Sequence, residues 1–304
     1  MNSPINGKYA GYCGAKNDKI IFSEEINMSN LLKSIDILLV TNPTNIRYLT
    51  GFVGVAGNER EAYLLITKTQ AFLLTNSLYL EQAKKSSLLQ CYTDTWLNTK
   101  KPVQVVEISR ENSLEKKLNW ILKGLNPLRP KGLTLNSLCL GFEENDLKVS
   151  EYRNLQIKLK GVKLIPTQNR IEKLRMIKRS DEINNIRAAA KLTDECFPLI
   201  VKMLKPGITE SEIAWEIESC FRKHGTEPAF SPIVAFGKNT SQPHYSLTNN
   251  SQLTTNNLVL LDFGARVNGY CADMTRVVFI GKPKPEWLRA YKAVFTNNSF
   301  SQYI

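Results

Sequence analysis

A chain of 304 residues is long enough for two domains, each with its own core. With 42% hydrophobic and 22% charged residues, and no low-complexity tract or internal repeat, its composition is globular, which excludes a fibrous or wholly disordered chain. The net charge of +12 raises nucleic-acid binding as a reading. The basic cluster from Lys158 to Arg179, however, lacks interleaved aromatics and matches no helix-turn-helix, RNP or KH pattern. A solvated lysine-rich surface and linker accounts for it better.

The first twenty residues hold no apolar run suited to a signal peptide, and no later segment approaches the roughly 20 apolar residues of a membrane span. A soluble, cytoplasmic protein without membrane contact is expected. Cys13, Cys91, Cys139, Cys196, Cys220 and Cys271 form no close pairs, so they are expected to be reduced thiols.

In chain order, the strand-like runs are "DILLVT" (36–41), "AYLLIT" (62–67), "AFLLTN" (71–76), "VQVVEI" (103–108), "SLCLGF" (137–142) and "VKLIPT" (162–167). Between them, "LYLEQAKK", "SLEKKLNWILKGL" and "NDLKVSEYRNLQIKL" carry the spacing of amphipathic helices. Alternating strands and helices predict an α/β domain over residues 25–166. A polar, basic stretch, 167–180, then leads to a long helix N-capped by Ser180, kinked at Pro198 and ended by "KPG" (205–207). Thr209 and Glu212 form a capping box that opens a second helix, stopped at Gly225. Strand-like residues 230–236 and a hairpin follow, giving residues 167–304 an α+β pattern.

That hairpin, "LLDFGARVNGYCADMTRVVF" (260–279), places Asp262 and Asp273 in otherwise apolar or β-branched runs, where carboxylates are rare unless compensated. If Asn268-Gly269 is the two-residue loop, Val267 pairs Tyr270 and Asp262 faces Thr275. The two aspartates are then diagonal neighbours on one face. A register whose paired numbers sum to 535 would put them directly opposite each other, and an even sum would send them to opposite faces. Two carboxylates so close call for a cation between them, and oxygen ligands suit a hard divalent metal. Two solvated strand-end aspartates are the competing reading.

The hairpin closely resembles the metal-binding hairpin of the pita-bread metallopeptidases, the group of methionine aminopeptidase, aminopeptidase P and prolidase. "FSPIVAFGKNTSQPHYSL" (230–247) looks like that family's segment with a substrate-facing histidine. "VTNPTNIRYLTGF" (40–52) and "IEKLRMIKRSDEINNIRAAA" (171–190) resemble the start of the creatinase-type N-terminal domain and the entry to the catalytic domain. The resemblance implies an α/β creatinase-like domain at 25–166 and, at 167–304, an α+β pita-bread domain present only in its first half. It implies Asp262 and Asp273 as metal ligands, His244 as the catalytic histidine that contacts substrate, and Thr275 beside the site. It further implies two divalent ions, manganese or cobalt, hydrolysis of the bond N-terminal to proline in proline-containing peptides, and a homo-oligomer formed through the N-terminal domain. His224, at a helix end before Gly225, reads as a helix C-terminal cation.

The pattern also departs from the family. Five protein ligands are expected there: two Asp, then a His and two Glu. After Asp273 there is no histidine and one glutamate, Glu286. "EWLRAYKAVF" (286–295) is helical in pattern, whereas "TNNSFSQYI" abandons it. The expectation is therefore a chain that lost its frame or stopped early near residue 295, with weak or absent metal binding and an inactive site. The alternatives are a nonenzymatic relic that pairs with full-length relatives and, weaker, a basic nucleic-acid-associated protein.

Overall fold

The computed structural model describes residues 31–54, 60–85, 103–124, 138–246 and 250–301, which fall into two compact units divided between Ile177 and Lys178. In the first, six strands appear where the apolar runs predict them: β1 (Ile37–Val40), β2 (Ala62–Thr67), β3 (Ala71–Thr75), β4 (Gln104–Glu107), β5 (Cys139–Glu143) and β6 (Lys163–Thr167). They form one sheet in the order β4-β3-β2-β1-β5-β6, parallel except where β2 pairs β1 and β3. Every residue of β1 and β3 is buried, as expected of strands covered on both faces. Leu38, Val40, Leu64 and Leu73 pack with Ile46 and Leu49 of α1 (Pro43–Thr50). Ile37, Leu39, Leu65 and Leu74 pack on the other side with Leu118 and Leu122 of α3 (Leu114–Gly124) and Leu155 of α4 (Val149–Lys158); a shorter helix, α2 (Leu80–Lys85), lies between β3 and β4 in the chain. Each such leucine contributes about 2 kcal/mol by leaving water.

The "VTNPTN" stretch has a structural purpose here. Asn42 caps α1 through the amides of Thr44 and Asn45, Pro43 takes the position that needs no donor, and Gly51 ends the helix at φ 73°. The buried Glu143 at the end of β5 accepts from the N–H groups of Thr41 and Asn42 at 2.6 and 2.7 Å. Burial raises the Glu143 pKa, opposed by those two amides and by Asn45 and reinforced by Glu172. The basic stretch after β6 is folded as well. It forms α5 (Arg170–Met176), whose Ile171 is buried in the first unit and whose Arg170 donates to the carbonyls of Leu31 and Lys33.

The second unit begins with α6 (Ser180–Met203). Its N-cap is Arg179, one residue before the expected Ser180, because the Glu182 carboxylate accepts from the Arg179 amide at 2.9 Å. The helix continues through Pro198. Then α7 (Glu210–Lys223) opens on the Thr209–Glu212 capping box as expected, and Gly225 follows at φ 70°. The thiol expectation is overturned at one pair: Cys196 and Cys220 are joined in a disulfide, with Cα atoms 6.3 Å apart. They sit opposite each other on the buried faces of α6 and α7, a proximity that a separation of 24 residues hides. Cys139 and Cys271 are free, and Cys13 and Cys91 lie outside the described residues.

The helices cover one face of a three-stranded sheet ordered β12-β9-β8, made of β8 (Ile233–Phe236), β9 (Asn257–Phe263) and β12 (Met274–Ile280). A smaller sheet comprises β7 (Glu227–Pro228), β10 (Ala265–Val267) and β11 (Tyr270–Cys271). Val259, Leu261 and Phe263 of β9 are buried against Ile213, Ile217 and Phe221 of α7. Leu258, Leu260 and Asp262 alternate with them and are half-buried on the opposite face. The last helix, α8 (Pro285–Ser301), runs past Phe295, where the polar residues were expected to end it. Its outer side exposes Val294 and Phe295, and Tyr291 meets Phe279 edge-on. Among the described residues no helix is long and apolar enough to cross a membrane.

Candidate metal centre

The hairpin adopts the first of the registers considered above. Val267 pairs Tyr270 and Asp262 pairs Thr275, with Asn268 and Gly269 in left-handed conformations at φ 49° and 84°. The same register runs through both sheets, which places Gly264 opposite Asp273 and makes the two aspartates diagonal neighbours on one face. Gly264 is required at that crossing, since a Cβ there would lie 1.8 Å from the Ala272 carbonyl oxygen. The tip is tied down by α6: Tyr270 Oη donates to Glu182 at 2.9 Å and the Ala265 amide to Thr193 Oγ1 at 3.0 Å.

The carboxyl groups converge. Partial burial raises the Asp262 pKa; the Thr275 hydroxyl, donating to Oδ1 at 3.0 Å, opposes this, while Asp273 raises it further by repulsion and by sharing a hydrogen bond. His244 exerts a weaker lowering pull on the same carboxyl. Asp262, Asp273 and Thr275 thus meet on the hairpin, and His244, in the loop between β8 and β9, is near enough to bias the Asp262 carboxyl. The Thr275 bond also orients Asp262.

A divalent ion suits this pair in chemistry: the donors are hard oxygens whose mutual repulsion a cation would relieve, and glycine at 264 leaves the crossing clear. The pair is not a full shell. Among the described residues no group of three or more His, Cys, Asp or Glu side chains is arranged to hold a metal ion. His224 is placed as its local sequence suggested, at the C-cap of α7, with Nδ1 2.8 Å from the Cys220 carbonyl oxygen. A cleft of about 420 Å³ in the first unit, lined by Tyr63, Arg110, Ser113 and Glu151 among others, includes none of the four.

Sequence reasoning missed the residues that hold the His244 loop. Glu210 is fully buried, with Asn239 and Tyr245 bonded to it. Glu210 reads in sequence as one more acid in the first turn of α7, and nothing local sets it apart from the solvated Glu212.

The chain thus combines an α/β domain with a helix-backed sheet that carries paired acids on its other face. Comparison with known proteins places that combination in a family. Residues 32–177 match the creatinase/prolidase N-terminal domain, and residues 184–297 match metallopeptidase family M24. An uncharacterized peptidase of Staphylococcus haemolyticus is 31% identical over 272 residues, covering 89% of this chain and 69% of the relative. The uncharacterized peptidase YqhT of Bacillus subtilis is 33% identical over 262 residues, 86% of this chain and 65% of that protein. Among solved structures, the Xaa-Pro dipeptidase from Bacillus anthracis superposes with a TM-score of 0.70 at 30% identity, covering 88% of this chain and 69% of that one. The X-Pro aminopeptidase from Thermotoga maritima gives 0.69 at 27% identity, with coverage of 89% and 70%. The chain belongs to metallopeptidase family M24, in the branch with a creatinase/prolidase-type N-terminal domain. It spans about two thirds of the length of these relatives.

Proposed function

We propose that this chain is a proline-specific metallopeptidase by descent, directed at peptides with proline in the second position and at the bond N-terminal to that proline. The observation that carries the reading is the meeting of Asp262 and Asp273 on one sheet face, with Thr275 bonded to Asp262. Asp262 and Asp273 would hold the divalent ions, manganese or cobalt. Such ions, when bound, supply activation of the attacking water and polarisation of the scissile carbonyl. The chain's own residues do the rest. Thr275 fixes the Asp262 carboxylate by donating to Oδ1. His244, exposed beside the acid pair, offers a ring N–H to the carbonyl oxygen as negative charge builds on it.

Two carboxylates leave most of a divalent ion's positions to water or to further ligands, so metal retention through this pair alone is weak. The test is hydrolysis of Xaa-Pro dipeptides and of longer Xaa-Pro peptides, with and without added manganese. Manganese-dependent release of the N-terminal residue that is lost in Asp273→Asn supports the peptidase. Stoichiometric metal uptake without cleavage of any Xaa-Pro peptide supports instead the nonenzymatic partner, and turnover indifferent to both metal and Asp273 overturns the assignment of the site.

A further inference from the structure

We infer that Glu210 is a positioning residue for His244. The inference rests on the proposed role of His244 for its relevance to chemistry, while the placement itself stands on geometry. His244 lies in the connection between β8 and β9 and has a left-handed backbone at φ 54°, unusual for a residue with a side chain. An exposed histidine in such a conformation keeps one orientation only if its neighbours fix the backbone on both sides.

Glu210 does so from beneath. It is the first residue of α7, its side chain is fully buried, and no cation pairs with it among the described salt bridges. The side chain accepts four hydrogen bonds, two at each oxygen, which suits a carboxylate. Oε1 accepts from the Phe236 amide at 2.6 Å and from Asn239 Nδ2 at 2.9 Å, on the side that enters the loop. Oε2 accepts from Tyr245 Oη at 2.8 Å, one residue beyond His244, and from the Ser251 amide at 2.9 Å, on the side that leaves it. One buried carboxylate therefore ties together both legs of the loop. The second Asn239 N–H lies within reach of the leaving leg, with Tyr245 Oη and Ser251 Oγ each 3.0 Å from Nδ2 and either able to accept it. The leaving leg is also paired to the start of α7, by the Leu253 amide to the Ile208 carbonyl at 2.7 Å and the Gly207 amide to the Leu253 carbonyl at 2.8 Å.

Burying a carboxylate without a cation is costly. An apolar side chain here would leave the Phe236 amide and the Tyr245 hydroxyl without their acceptor. What the carboxylate adds is direction: four donors from three segments can be satisfied together in one loop conformation only.

The chain carries two histidines, so each can be followed by its imidazole proton signals, and His224 serves as the internal reference. The experiment compares the intact protein with Glu210→Gln and with Tyr245→Phe, which keeps the ring and removes only the hydroxyl. Both are read by histidine proton spectra at a fixed pH and by amide hydrogen exchange over 236–246. Glu210→Gln is expected to shift and broaden the His244 signals, leave those of His224 in place, and speed exchange at the Phe236 amide by on the order of tenfold, the scale of a lost hydrogen bond to a charged group. Tyr245→Phe is expected to move His244 alone and by less, and it carries the test should Glu210→Gln not fold. Unchanged His244 signals in both variants, or equal displacement of both histidines, would overturn the inference. No turnover is needed, so a failure of the peptidase reading appears in the hydrolysis assay and a failure of this one in the spectra.

Discussion

The two units use their sheets differently. In the first, both faces are packed: β1 and β3 are buried along their whole length, with helices above and below. In the second, one face packs on α6 and α7, and the other, met by Tyr291 of α8 only at Phe279 among the described ring contacts, keeps Leu258, Leu260 and Asp262 half-buried and Asp273 exposed. A sheet covered on both sides can gain stability but has no surface on which to place a carboxylate near a ligand. A sheet covered on one side gives up burial and can hold charge at its open face.

The largest expected effect lies in the covered sheet. Leu39→Ala, at a fully buried position, should cost about 3–4 kcal/mol in urea unfolding, because the cavity cannot collapse between two packed faces. Leu260→Ala, on the open face, should cost no more than about 1 kcal/mol. Equal losses would break the contrast between the units.

Next in size is the ion cluster of the first unit, where Arg60 binds Asp146 and Glu151 with 11% of its side chain exposed and the two acids 21% and 22% exposed. Arg60→Met should cost about 2–3 kcal/mol, since it leaves both acids unpaired in partial burial. Burial raises the Glu151 pKa but is outweighed by the Arg60 guanidinium, the Lys148 amide and the Tyr63 hydroxyl, so the carboxyl lies below its usual range. Its stabilisation is therefore full above the ordinary glutamate value, about 4.3, and is lost as pH falls through the lower folded value. Glu151→Gln should flatten that acid limb of the stability profile, and an unchanged limb would contradict the pairing.

Gly264→Ala should cost about 2 kcal/mol and displace Asp273, because the new methyl group meets backbone at Ala272 with no flexible side chain to yield. Thermal unfolding together with manganese binding reads both parts. Thr275→Val is the smallest change: one half-solvated hydrogen bond to Asp262, about 0.5 kcal/mol, with a modest fall in manganese affinity.

How much of this was legible in sequence depended on the range of the signal. The six apolar runs and the Thr209–Glu212 box are local, and each gave its element. The hairpin register followed from Asn268-Gly269, two residues able to take the left-handed turn, and with it came the meeting of Asp262 and Asp273. What escaped was set by contacts distant in the chain. Cys196 met Cys220 only because α6 and α7 pack face to face, and Glu210 became a loop anchor only because donors from Phe236 to Ser251 folded over it. The shift of the α6 cap to Arg179 depended on one carboxylate reaching back to one amide, a choice between adjacent residues that pattern does not resolve.

The most direct test of the acid pair is manganese titration, followed by the electron spin resonance of the free ion, of the unaltered chain, Asp262→Asn and Asp273→Asn. Weak, saturable binding with a dissociation constant on the order of 10⁻⁴–10⁻³ M, lost in both variants, is the predicted result for so few protein ligands. Binding that survives either substitution unchanged would contradict the claim that these two side chains form the cation site.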